Sequence, residues 1–140
     1  MTKLLLSLHV LAAIVAIGPV TVAASMFPAA LRRGDLAAMG TLHRICRVYA
    51  VVGLAVPVFG LATASSLGVL GSAWLLTSIA LTAVAAAVLG FAVLPAQSAA
   101  LGSPEIAAPA RLGMTAGLFN LLWSIVVVLM IVRPGSTTGV

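Results

Sequence analysis

A chain of 140 residues with 63% hydrophobic and only 6% charged positions is no water-soluble domain, in which about a quarter of residues carry charge. A transmembrane helix takes roughly 20 apolar residues, so four spans and short loops use these residues up and leave no space among them for an extramembrane catalytic domain. The net charge of +5 lies beside apolar runs. It therefore reads as a membrane-orientation signal rather than a nucleic-acid surface, and no nucleic-acid partner is expected. The single Cys46 excludes an intramolecular disulfide and a multi-cysteine metal site, and reads as a helix-packing residue.

The first apolar run, Leu4 to Ala30, is broken only by Ser7, His9, Thr21 and Ser25. It competes with a signal peptide, because Lys3 resembles a charged leader and Val22-Ala23-Ala24 a cleavage site. The apolar sequence nevertheless continues through Met26 and Phe27, so the run is read as a retained helix. Pro19 lacks the amide that would bond Val15, which predicts a kink.

A basic island follows, with Arg32, Arg33, Arg44 and Arg47. Gly34 suits a helix end and Asp35 an N-cap. The spacing of Leu36, Met39, Leu42, His43 and Cys46 predicts an amphipathic, interfacial turn or two leading into the second span. That span is read as 48–67, with Gly53, Pro57 and Gly60 giving a second kink, at Pro57, and close helix contact.

The third span is read as 72–94, with Trp74 near its start and Pro95 as its end. Residues 95–112, with Gly102, Pro104, Glu105, Pro109 and Arg111, carry loop punctuation. The fourth span is read as 113–132, and 136–140 as a polar tail. Gly113 and Gly117 match a small-xxx-small packing pattern, and Asn120, the one amide of this span, is expected to bond to another helix. The whole is expected to be a single domain, an all-α bundle of four transmembrane helices.

The candidate chemistry is sparse. His9 and His43 are the only residues to try as haem or quinone ligands, and the topology separates them by roughly 25 to 30 Å along the membrane normal, too far for one iron. No carboxylate falls within a span, which argues against an ion-coupled transporter. No nucleotide-binding, nucleophile or metal motif occurs. No cofactor and no catalytic residue are expected.

The run Leu8-His9-Val10-Leu11-Ala12-Ala13, followed by Gly18 and the basic loop, resembles the opening of small uncharacterised bacterial four-helix membrane proteins of the domain-of-unknown-function 2269 type. The resemblance implies topology, and it carries across His9 without a role. In type, the chain is also similar to the redox-free helical subunits of actinobacterial respiratory supercomplexes. The expectation is a non-catalytic accessory or assembly subunit in the plasma (inner) membrane, in contact with lipid and with other membrane subunits, in a respiratory oxidase or supercomplex. The rivals are a haem- or quinone-associated electron-transfer protein and a small oligomeric channel.

Loops 31–47 and 95–112 hold Arg32, Arg33, Arg44, Arg47 and Arg111, against Lys3 and Arg133 on the other side. The positive-inside bias therefore puts both termini outside. An alkaline phosphatase fused after Arg133 should be active, and the same reporter at Gly34 inactive. A properly inserted but inactive C-terminal fusion overturns this orientation.

Overall fold

The computed structural model describes residues 1–135, and the tail 136–140 lies outside the described residues. Among them there is no strand, and four helical rods are long and apolar enough to cross a membrane. The first rod is α1 (Thr2–Arg32). The second joins α2 (Leu36–Val52) to α3 (Ala55–Leu67). The third joins α4 (Ala73–Val88), a wide π turn (Leu89–Val93) and α5 (Leu94–Gly102). A short 3-10 turn (Pro104–Ile106) leads to α6 (Pro109–Val132). The chain is a multi-pass, all-α four-helix membrane bundle.

α1 and α3 end in the same way. Gly34 and Gly68 take φ of +68° and +70°, conformations that cost glycine little. The amides that follow reach back to close the helix, Asp35 N–H to the Ala30 carbonyl (3.1 Å) and Val69 N–H to that of Ala64 (3.1 Å). As expected, Asp35 then starts the next helix, its side chain accepting from the Ala38 amide at 3.0 Å.

One expected boundary changes. Segment 31–47 is helical apart from residues 33–35, and the helix expected from Leu36 runs into the span read as 48–67, so the apolar rod covers 36–67. The third rod does not stop at Pro95. It continues to Gly102, and most of the expected loop 95–112 is helix. In both rods the proline acts one turn upstream. Pro57 offers no amide to the Gly53 carbonyl, and the chain leaves the helix at 53–54, where Leu54 bonds Val51 (3.1 Å) and Val56 bonds Gly53 (3.1 Å). The break thus precedes Pro57 instead of sitting on it. Upstream of Pro95 the helix widens, with the Leu94 amide reaching Leu89. α1 passes through Pro19 and Pro28 without leaving the helix.

α1 is the central element, packing on α2, α3 and α6, while α4 packs on α6 and α5 on α2. The four rods therefore form a ring in the order α2–α3, α1, α6, α4–α5. The core at its middle is Val20, Ala23, Ala24, Cys46, Ala85, Leu89, Val93, Ala116 and Phe119. A second cluster around Phe27, Met39 and Leu112 fills the basic end. Trp74 closes the opposite end, under the Arg133 guanidinium at 5.4 Å.

Of the glycines, Gly60 is the one approached most closely by another helix, through His9. His9 Nδ1 donates to the Val56 carbonyl at 2.9 Å, and a Cβ on Gly60 would come within 2.9 Å of the ring's Cε1. The glycine lets the imidazole lie against the backbone of α3. Gly60→Ala should lower stability by about 1–3 kcal/mol, read as a lower thermal midpoint in detergent. In a His9→Ala background the same change should cost little. An equal cost in both backgrounds breaks the link between the two residues.

Candidate functional site

Most polar side chains in the spans bond to a carbonyl of their own helix, as Ser78 does with Trp74 and Thr63 with Phe59. Besides His9 on Val56 and Thr2 on Ser66, two groups reach across helices, and both are candidates for function.

The first lies at the basic end of the ring. Gln97 on α5 is 1% exposed. Its Oε1 lies 2.9 Å from His43 Nδ1, and its Nε2 donates to Cys46 Sγ at 3.6 Å. The Cys46 thiol in turn points at the Val20 carbonyl, 4.0 Å away on α1. An amide oxygen only accepts, so Nδ1 of His43 carries a hydrogen, and the second ring nitrogen, Nε2, has bonding capacity left. Beside this chain is a cleft of about 240 Å³ lined by His43, Arg47, Gly90, Leu94, Pro95 and Ser98.

Gln97 owes its position to the π turn. On an unbroken helix turning about 100° per residue, Gln97 would point roughly 120° away from Ala85; one extra residue in a wide turn reduces this to about 20°. Hence Ala85, Leu89, Val93, Gln97 and Ala100 all face the interior. Sequence reasoning placed Gln97 in a loop and missed it. The available signal was the stretch from Ala96 to Leu101, which holds no glycine, proline or charge.

The second group lies between α1 and α6. Asn120 Nδ2 donates to Ser25 Oγ at 3.0 Å, the interhelical bond expected of it. Its Oδ1 is buried without a partner, as are Thr21 Oγ1 and Trp123 Nε1. Gly113, Gly117, Asn120 and Ser124 follow one face of α6 at helical spacing. The two glycines and both serines, Ser25 and Ser124, are exposed on the outside of the ring.

The remaining sequence candidates separate by role. Gly53 and Gly60 are internal, with Ala16 and His9 respectively nearest across the helix interface. Pro57 is exposed on the outside of α3. Arg32, Arg33, Arg44 and Arg47 are all exposed at the basic end. His9 and His43 do not meet. Their partners Val56 and Gln97 lie on different rods, and His43 is 13 residues from Val56 along the second rod, about 20 Å at helical rise. Among the described residues no group of three or more His, Cys, Asp or Glu gathers as a metal site would require.

Compared with protein-family models, with curated proteins and with solved structures, the chain matches none.

Replacing Gln97 with Leu leaves the His43 N–H without its acceptor inside a packed helix contact, at a cost of about 1–3 kcal/mol. The thermal midpoint should fall, and the loss should shrink when His43→Ala is already present. A Gln97→Leu protein as stable as the parent removes the network from the stabilising interactions.

Proposed function

We propose that this protein is a non-catalytic membrane subunit that works by docking against another integral membrane protein. The observation behind this reading is the outward stripe Gly113, Gly117, Asn120 and Ser124, with Ser25 beside it. Lipid tails offer no hydrogen bonds, so the exposed hydroxyls of Ser25 and Ser124, each with bonding capacity beyond its one bond inside the bundle, are better met by a second helix than by lipid. The two glycines let such a helix come close. The chemistry agrees with the reading: each histidine has one ring nitrogen engaged within the bundle, and the two lie too far apart to share a ligand.

The host we favour is a respiratory oxidase or supercomplex in the plasma membrane, with the bundle as an accessory or assembly subunit and both termini outside. This narrower assignment rests on the likeness in type to small helical subunits and on the charge asymmetry of the loops.

Gentle detergent purification followed by mass spectrometry should recover a stoichiometric membrane partner. Gly117→Leu and Ser124→Leu, both exposed on the outer stripe, should each cut its recovery severalfold while the bundle itself stays folded. A monodisperse protein without a partner, or recovery indifferent to both changes, overturns the proposal. Respiratory subunits among the partners support the narrower assignment, and a different host removes it.

A further inference from the structure

We infer that the edge of the ring between the α2–α3 rod and the third rod binds one acidic phospholipid, its headgroup on Arg47 and His43 and one acyl chain in the groove below. This edge lies across the bundle from the α1–α6 stripe, and the inference does not depend on that stripe.

The groove is about 330 Å³ and is lined by Ala50, Val51 and Leu54 on one side and by Ala86, Leu89, Gly90 and Leu94 on the other, with Arg47 at its head. It runs directly into the cleft of His43, Arg47 and Ser98, since Arg47, Gly90 and Leu94 line both. The two together form a polar head space continuous with an apolar channel, the layout of a lipid. Above, the ring is closed where α5 packs on α2 through the His43–Gln97 bond. Below, small residues leave it open: Ala86 and Gly90 are exposed, and a Cβ at Gly90 would meet nothing within 4 Å.

Chemistry and charge select the occupant. The groove is apolar along its length, which suits a hydrocarbon chain, and it is basic at its head. The head space is cationic. Arg47 lines it, Arg44 lies one turn away, and neither of the chain's two carboxylates is among the lining residues. Asp35 caps the start of α2, about 18 Å along the helix from Arg47, and Glu105 sits in the turn before α6. An anion is therefore preferred to a zwitterion. A phosphodiester accepts from the guanidinium, and a hydroxyl of a glycerol headgroup can donate to His43 Nε2 in the neutral ring. The basic residues that mark the inner side of a membrane also face its acidic leaflet.

Native mass spectrometry of the detergent-solubilised protein, titrated with phosphatidylglycerol and with phosphatidylcholine of the same acyl chains, tests this. The first phosphatidylglycerol should bind about fivefold tighter than phosphatidylcholine. Arg47→Ala should erase that difference, and Gly90→Phe, which fills the groove, should weaken both lipids. Helical circular dichroism and gel filtration check each variant, and Arg47→Gln takes over if Arg47→Ala does not fold. Equal binding of the two lipids by the parent, or a preference that survives loss of Arg47, overturns the inference. So does displacement of the lipid by glycerol phosphate alone at matching concentration, or a quinone that binds as tightly and ignores the loss of Arg47.

Discussion

Inside hydrocarbon there is no water to accept a stray amide hydrogen or to satisfy a stray carbonyl, and each unsatisfied group costs several kcal/mol. This chain places Pro19, Pro28, Pro57 and Pro95 within or beside its apolar rods, and each proline removes a donor the rod would otherwise use. Much of the fold's individuality lies in how these losses are met. α1 carries two prolines and stays helical. The second rod gives up helical bonding briefly at 53–54 and resumes. The third widens by one residue. That last response turns the helix so that a lone amide faces the interior and meets a histidine on another rod.

The four rods were legible in the sequence, because runs of about 20 apolar residues leave little choice in a bilayer. The pin at Gly34-Asp35 was legible too, since a left-handed glycine followed by a capping aspartate is chemistry local to a few residues. Asn120 declared itself as an interhelical donor for the same reason, being an amide in an apolar run. Pro95 misled. Its ring clashes with an ordinary helical turn, so it reads as a stop, and only the packing around it selects a wide turn over an ending. Gln97 was lost as a consequence, since a residue in a supposed loop has no face. Neither the groove nor the cleft can be read from one rod, because each is shared by two rods from different parts of the chain.

The bundle presents two unlike edges. Between α1 and α6 the surface is small and polar, with bonding capacity left on the exposed Ser25 and Ser124 hydroxyls. Between the second and third rods it is apolar, with a cationic head. Both are outward, and neither carries the clustered ionisable groups on which hydrolytic or metal chemistry depends. His9 belongs to neither edge. It is held against Gly60 inside the ring, which fits a residue that sets the spacing of two helices.

The rods are unequal in length. α1 and the second rod have 31 and 32 residues and α6 has 24, a difference of about 10 Å at helical rise. A bilayer with a hydrocarbon layer of roughly 30 Å cannot match such neighbours at once, so it must thicken beside α1, let the longer rods tilt, or remain strained, at a fraction of a kcal/mol per ångström. The short α6 adjoins a long rod on both sides, α1 on one and the 30-residue third rod on the other, and the α1–α6 edge is one of these two seams. A second protein seated there would replace poorly matched lipid with helix, and would gain that elastic energy in addition to any bond made to Ser25 or Ser124.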